Sequence, residues 1–196
     1  MKRDTHLVVL LLLVIGCSLS LLTVWKVLAS RDIALEEVNV HSLNLTQAIE
    51  TYSEGVVRQS SLLLLGLVER METEGSGTAQ LQRLRTLIHR QAPLMPQLSG
   101  VTVYDEKGRW LMSSYRPNLA GVDNSDRSYF IHHRTDPSRE TFIGPPIQSR
   151  FNQEWVITLS RRFNGPSCEF AGVVVVTLGI ENFLRLFGKL DLGQDG

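Results

Sequence analysis

An unbroken apolar run extends from Leu7 to Trp25 at the start of the chain. Lys2 and Arg3 precede this run, and Lys26 directly follows it. About 19 apolar residues form a helix of roughly 30 Å, which matches the hydrocarbon core of a bilayer. The pattern therefore predicts an uncleaved transmembrane signal anchor at residues 7–26.

The charges around the run indicate its orientation. Lys2 and Arg3 give the N-terminal flank a basic excess, whereas Lys26 and Arg31 of the far flank are mixed with Asp32, Glu36 and Glu37. Residues 1–6 are therefore predicted to stay cytoplasmic and the chain from residue 27 to lie outside the cytoplasm. Two processing alternatives remain open. A signal peptidase could cut at residues 28–30, although Lys26 lies inside that cleavage region, and residues 14–17 resemble a lipobox, although apolar residues follow them.

A second apolar pattern follows the anchor, with apolar residues at mixed three- and four-residue spacings from Ile33 to Leu63. From Val27 to Met71 the chain has no proline, and its only glycines there are Gly55 and Gly66. This is typical of a long amphipathic helix, and we predict a stalk helix at residues 27–74 that enters a domain. The segment Leu62 to Leu65 is apolar on every side and too short to span a membrane, so it is predicted to enter a core.

Glycine and proline divide the rest of the chain into short elements. Gly75 and Gly77 end the first helix, Pro93 ends the second, and Gly108 supplies the turn of a hairpin. The predicted order is a helix at 78–91, strands at 101–104 and 110–115, a short helix at 126–134, strands at 147–151, 155–163 and 170–178, and a helix at 180–188.

This order predicts an α+β domain at residues 75–188 with a five-stranded antiparallel sheet flanked by helices. The helices are expected to pack on one face of the sheet. The strand at residues 170–178 is almost wholly β-branched, so we expect it to be central and buried.

Composition excludes several classes of function. The net charge is zero, with 20 basic and 20 acidic residues, which gives no electrostatic footprint for nucleic acid. The sequence has no nucleophile elbow, metal-spaced His/Glu set, phosphate loop or cyclase signature, so we predict neither a catalytic site nor a cofactor. Cys17 lies in the predicted anchor and Cys168 in a turn, so the two cysteines of one chain cannot pair.

A cluster of arginine and aromatic residues is the candidate ligand site. Planar guanidinium groups bind carboxylate oxygens in a bidentate way, and aromatic rings can wall a small pocket. The cluster favours a small anionic ligand, although the same aromatics could be core residues beside solvated arginines. Its members are Arg127, Tyr129, Phe130, Arg134, Arg150 and Trp155.

Two adjacent histidines, His132 and His133, invite a metal-site interpretation. On a helix, neighbouring side chains point about 100° apart and cannot readily hold one ion. We therefore predict no metal site and a surface pair. If His133 instead faces the pocket, its protonation would make ligand affinity depend on pH.

Two sequence motifs resemble those of a known family. The first is Asp126-Arg127-Ser128-Tyr129-Phe130, and the second runs from Phe142-Ile143-Gly144-Pro145-Pro146 through Ile147-Gln148-Ser149-Arg150 to Trp155-Val156-Ile157-Thr158. Both resemble the membrane-distal module of an extracytoplasmic double Cache sensor, over roughly residues 30–190. The resemblance implies a PAS-like sheet that senses small molecules for chemoreceptors, histidine kinases and diguanylate cyclases.

In the amino-acid-binding branch of that family, an Arg-x-Trp-Tyr pattern holds the ligand carboxylate and an aspartate on the last strand takes the ammonium. Arg127-Ser128-Tyr129-Phe130 is similar to the first pattern, but Thr177 stands where the aspartate is expected. A neutral hydroxyl cannot neutralise a desolvated ammonium. The expected ligand is therefore a carboxylate or another anion without an amine.

The resemblance also implies a location and partners. We expect a bacterial inner-membrane receptor whose sensor domain lies in the periplasm and which forms a homodimer through the stalk helix. Residues 189–196 resemble the start of a linker or second module, so we expect a longer parent protein, with a diguanylate cyclase as its leading output. A chemoreceptor, a histidine kinase and a non-sensing dimerisation ectodomain are the alternatives.

Overall fold

The computed structural model describes residues 2–115 and 123–187, and at residues 2–14, 27–42 and 186–187 it describes the backbone alone. The chain divides into two compact units, Met1–Glu50 and Thr51–Gly196. The predicted loop through Pro117 and Gly121, the end of the last predicted helix and the predicted linker at 189–196 lie outside the described residues.

The first unit is helical and belongs to α1 (Lys2–Glu74). Within the described part of the chain, no helix is both long enough and apolar enough to span a membrane. Residues 7–14 of the predicted anchor are among those described by their backbone alone. The anchor at residues 7–26 therefore stays a prediction.

The second unit has the α+β architecture that the sequence predicts. It contains the end of α1 and a 3₁₀ turn at Ala92–Leu94, together with three further helices and the strands of one sheet. These elements are α2 (Thr78–Gln91), β1 (Leu98–Asp105), β2 (Trp110–Ser113), α3 (Ser128–Thr135), β3 (Phe142–Ile143), β4 (Ile147–Gln148), β5 (Trp155–Asn164), β6 (Phe170–Gly179) and α4 (Ile180–Phe187).

Six strands of the described residues form one sheet in the order β2-β1-β6-β5-β3, with β4 also paired to β5. Every pairing is antiparallel, as predicted. β6 lies between β1 and β5, which confirms the prediction that the β-branched strand is central.

The edge beside β5 differs from the single strand predicted at residues 147–151. It consists of β3 and β4, which have two residues each. Pro145 and Pro146 lie between them and have no N–H to donate to a strand ladder. After β4 the chain turns at once, because the Ser149 amide donates to the Glu154 carbonyl at 2.9 Å.

Helices cover both faces of the sheet, so the predicted packing on one face is wrong. Successive side chains of β6 point to opposite faces, and all of them from Val173 to Val176 are buried. Val174 and Val176 pack in the core with α1 and α2, whereas Val173 and Val175 pack with residues of α3. A central strand that is apolar on both faces is buried only when helices pack on both faces of the sheet.

The core under α1 and α2 is built from apolar side chains at helical spacing. Leu64 of α1 and Ile88 of α2 have exposed fractions of 0% and 1%. The segment from Leu62 to Leu65 enters the core through Leu64, as predicted, while Leu62 and Leu65 remain 65% and 46% exposed. One face of α1 is enough to fill the space above the sheet.

Candidate ligand-binding cavity

A cavity of about 40 Å³ lies on the α3 face of the sheet, where it has room for a few water-sized groups. An adjoining groove of about 430 Å³ shares Arg127 and residues 147–150 with it. The two volumes together have the size of a small-molecule site. The cavity floor consists of Thr102 and Tyr104 of β1, Val156 and Thr158 of β5, and Val175 and Thr177 of β6.

Arg127 immediately precedes α3 and has an extended backbone, with φ −73° and ψ 142°. Its side chain is half-buried at the cavity, and its Nη2 donates to the Gln148 carbonyl at 3.0 Å. Among the described residues, it forms no ion pair with a carboxylate. Arg127 therefore brings a positive charge to the cavity that the surrounding chain does not neutralise by contact.

A buried network links the cavity wall to α3. Asn124 Nδ2 donates to Tyr104 Oη at 2.7 Å and to Tyr129 Oη at 3.0 Å. Burial raises the pKa of both tyrosines, so their hydroxyl groups stay neutral. Tyr129 Oη also lies 3.3 Å from Tyr104 Oη. This network holds polar groups at fixed positions beside Arg127.

Arg150 is already engaged by the loop before α3. Its Nη1 and Nη2 donate to the two Asp126 carboxylate oxygens at 2.9 and 2.6 Å, and Nη1 also donates to Asn124 Oδ1 at 2.9 Å and to the Asp123 carbonyl. The hydrogen bond to Arg150 lowers the pKa of Asp126, and the same bond raises the pKa of Arg150. The pair is therefore charged at neutral pH and closes one side of the cavity.

Two buried polar atoms beside the cavity have no hydrogen-bond partner within the described residues. They are Trp110 Nε1 and Thr158 Oγ1. Each unpaired buried group costs about 1–3 kcal/mol. A ligand or a water molecule with matching polar atoms would recover this cost.

The structure brings together four of the seven predicted site residues in the cavity and a fifth in the groove. Arg127, Tyr129, Arg150 and Thr177 line the cavity. Trp155 lines only the groove and is 54% exposed.

Phe130 and Arg134 line neither the cavity nor the groove. Phe130 is 0% exposed and packs edge-on against Phe170 at 5.7 Å, because it points into the core beneath α3. Arg134 is exposed, and its guanidinium carbon lies 5.7 Å from the Phe130 ring centroid.

Several lining residues are absent from the sequence-based set. Strand alternation could have identified Thr102, Tyr104 and Thr158, because each shares a sheet face with Val175 or Thr177. The predicted hairpin could also have identified Trp110, which pairs with Tyr104 across β1 and β2. No sequence signal marks Asn124, which joins the cavity through its hydrogen bonds to Tyr104 and Tyr129. With these residues included, the part of the lining that the structure describes contains no aspartate or glutamate.

His133 lies beneath α3 and is fully buried, so the predicted surface pair is wrong for this residue. Its Nε2 lies 3.0 Å from Ser160 Oγ, and Nδ1 has no partner within the described residues. Burial is the main cause that lowers the pKa of His133 to about 4. His132 is half-buried and stacks on the Phe142 ring at 4.2 Å between centroids.

We expect the protonation of His133 to make stability depend on pH. In the unfolded chain this histidine binds a proton near its ordinary pKa of 6.5, whereas in the folded domain it does so only near pH 4. The contribution of neutral His133 to the free energy of unfolding is complete above pH 6.5 and is lost as the pH falls toward 4, by about 3 kcal/mol in all. Urea unfolding between pH 7 and 4 measures this loss.

A His133→Gln variant serves as the control for that measurement. Its stability should fall less steeply over the same pH range, because the glutamine does not titrate. The difference between the two proteins removes the contribution of the carboxylates. Equal slopes for both proteins would contradict the assignment of His133 as a buried neutral group.

No protein-family model matches the sequence, and the comparison with curated proteins found no match. Solved structures of other proteins are similar to this chain. The extracellular domain of rpHK1S-Z16, a protein classed as a histidine kinase, is 34% identical with a TM-score of 0.67, over 76% of this chain and 61% of that chain.

Two further structures share the fold at 14% identity. The sensory domain of the Campylobacter jejuni chemoreceptor Tlp3 with isoleucine bound has a TM-score of 0.59, over 74% of this chain and 61% of that one. A domain of a sensory box/GGDEF family protein from Vibrio parahaemolyticus has a TM-score of 0.62, over 78% and 62%.

The chain spans about 60% of the length of these three structures. The first is an extracellular domain, the second is a chemoreceptor sensory domain and the third is a domain of a sensory box/GGDEF family protein, and all three share the fold described above. The resemblance drawn from residues 126–130 and 142–158 is thereby confirmed, and the chain carries a Cache-like sensor module.

Proposed function

We propose that this chain is the extracellular ligand-sensing region of a membrane receptor and that its cavity binds a small carboxylate. The observation that carries the proposal is the cavity lining, which combines Arg127 with hydroxyl and N–H groups and has no acidic side chain among the described residues. Arg127 is half-buried and has only an uncharged acceptor, and a carboxylate would give it a charged partner with charge-assisted hydrogen bonds. The ligand-bound chemoreceptor Tlp3, with isoleucine in its structure, supports a ligand at this module.

The ligand that we propose has no amine. An ammonium buried at the cavity would need a carboxylate, and the lining offers only neutral acceptors such as Thr177 Oγ1 and Thr158 Oγ1. Arg127 would also repel it. The proposed ligand therefore differs from the amino acids bound to Tlp3, because it carries no ammonium group.

The proposed signal passes from the cavity to the membrane. Ligand that binds between α3 and the sheet would favour one arrangement of α3 over another, and only a difference in affinity between two arrangements can signal. In this proposal the apolar run from Leu7 to Trp25 anchors the chain in the inner membrane, the sensor module is periplasmic and two copies associate through α1.

The parent protein that we propose carries a diguanylate cyclase, supported by the GGDEF-family structure. Histidine kinase and chemoreceptor outputs are supported in the same way by rpHK1S-Z16 and Tlp3.

A second candidate function is a dimerisation ectodomain that senses nothing. A groove of about 400 Å³ between α1, α2 and the 3₁₀ turn favours it, because apolar residues such as Leu63 and Leu87 line it and Leu62 and Leu94 are 65% and 75% exposed. This alternative predicts that no small molecule raises the melting temperature. Stabilisation that grows with ligand concentration would exclude it.

We expect Arg127→Gln to weaken carboxylate binding by about 10- to 100-fold, because a charged hydrogen bond contributes about 1.5–3 kcal/mol. Thermal unfolding of the full chain in detergent micelles, titrated with a panel of small carboxylates, measures the effect. Arg134→Gln is the matched control, since it removes the same charge from the exposed side of α3. Equal ligand responses of wild type and Arg127→Gln would remove the cavity assignment.

A further inference from the structure

The two arginines at the cavity differ in what neutralises them. Arg150 forms a two-pronged ion pair with Asp126, at 2.9 and 2.6 Å, and gives further hydrogen bonds to Asn124 and to the Asp123 carbonyl. Four oxygen atoms thus surround one guanidinium. Its positive charge is balanced inside the protein before any ligand arrives.

Arg127 has no such balance. Its described hydrogen bond is to the Gln148 carbonyl, an uncharged acceptor. Asp126 acts on Arg127 through space but forms its ion pair with Arg150. Among the described residues, the cavity and groove therefore present one uncompensated positive charge to a ligand, and this charge lies next to an aspartate.

From this charge balance we infer that the site selects molecules with a single negative charge and that Asp126 is the residue that sets this selectivity. The inference rests on the proposed function and narrows its ligand class to monocarboxylates. The remaining walls suit an uncharged, apolar body, since they include Ile147, Val156 and the Tyr115–Phe151 ring pair, stacked at 4.9 Å.

A second carboxylate on the ligand would meet an occupied guanidinium. To bind Arg150, it would have to displace the Asp126 carboxylate from a bidentate geometry, or else lie beside that carboxylate and be repelled by it. Either outcome favours the monoanion. Neutralising Asp126 should free Arg150 to accept the second carboxylate, and the preference should then reverse.

Butyrate and succinate are the probes, because they share a four-carbon chain and differ by one carboxylate. Calorimetric titration of the full chain in detergent micelles should show succinate binding at least about tenfold more weakly than butyrate. In Asp126→Asn, succinate should gain about 100-fold in affinity, because a charged hydrogen bond to the freed Arg150 contributes up to about 3 kcal/mol, and should then bind more tightly than butyrate, which should change by less than about threefold. Asp126→Ser repeats the test with a different side chain.

Asp123→Asn is the matched control. It removes a negative charge three residues away, and asparagine keeps the oxygen that accepts from the Ser125 amide at 2.8 Å. The hydrogen bond from Arg150 to Asp123 goes to the backbone carbonyl, and the Asp123 carboxylate acts on Arg150 only through space, so this variant should leave the Arg150–Asp126 ion pair in place and keep the preference for butyrate. The double variant Asp126→Asn/Arg150→Gln should also prefer butyrate, because it no longer carries the freed charge.

The outcomes separate this inference from the proposed function. Selective butyrate binding in wild type that reverses in both Asp126 variants supports it. Equal binding of the two probes by wild type, or an unchanged preference in the Asp126 variants, overturns the inference and leaves a carboxylate sensor. If neither probe binds any of the proteins, both the inference and the carboxylate proposal fail.

Discussion

Replacing Gly172 by alanine is expected to lower the free energy of unfolding by about 3 kcal/mol or more. Gly172 lies on the central strand β6, opposite Asp105 of β1 and Phe163 of β5. An added Cβ would overlap the Tyr104 carbonyl and lie 2.6 Å from two carbons of the Phe163 ring. The backbone φ of 154° adds strain for any residue with a side chain.

The neighbours of Gly172 cannot easily move. Tyr104 is held in the hydrogen-bond network of the cavity, and Phe163 is 4% exposed in the core under α1. Urea unfolding of the full chain measures the loss. Gly55→Ala is the control, because nothing lies within 4 Å of a Cβ added at that helical position. Gly55→Ala should stabilise the chain by up to about 1 kcal/mol. A decrease in the free energy of unfolding for Gly172→Ala that is no larger in size than the Gly55→Ala gain would contradict the close packing around Gly172.

The sequence pattern predicts the sheet well because the strongest signals are local. β-branched residues from Val173 to Val176 favour a strand, and their unbroken run is typical of a central one. The same run also implies cover on both faces, which the expectation of helices on one face overlooked. β3 and β4 escape the pattern because two-residue strands have no measurable periodicity and exist only through their pairing with β5.

The candidate site was harder to predict, because its chemistry depends on pairings between distant segments. Sequence alone treats Arg127 and Arg150 as equivalent cations beside aromatic residues. The ion pair between Arg150 and Asp126 joins residues 24 positions apart in the sequence. Because of this pair, Arg150 is a charge-balanced residue of the cavity wall and not a residue that binds the ligand. His133 follows the same logic, since its burial depends on contacts with Ser160 of β5.

Phe130 shows how neighbouring residues of one short helix take different roles. Sequence resemblance groups Tyr129 and Phe130 as pocket aromatics, and both are buried. Tyr129 points its hydroxyl to Asn124 at the cavity, whereas Phe130 turns about 100° around the helix and packs on Phe170. A role in packing predicts a stability effect that a ligand wall would not have.

We expect Phe130→Ala to lower the free energy of unfolding by about 3–5 kcal/mol, the usual cost of a buried phenylalanine. The substitution leaves a cavity beneath α3, and rigid β-branched neighbours such as Val173 and Val175 limit the collapse around it. A loss of this size lowers the melting temperature by roughly 10 °C for a chain of this length. Calorimetry or urea unfolding of the full chain measures it.

Ile131→Ala is the matched control for this experiment, because Ile131 is the next residue of α3 and is 42% exposed. It should cost less than about 1 kcal/mol. A Phe130→Ala loss as small as that of Ile131→Ala would show that Phe130 is not a core residue. At temperatures where Phe130→Ala is folded, its preference between carboxylate probes should match that of wild type, since Phe130 lines neither the cavity nor the groove. A reversed preference would show that Phe130 contributes to the ligand site after all.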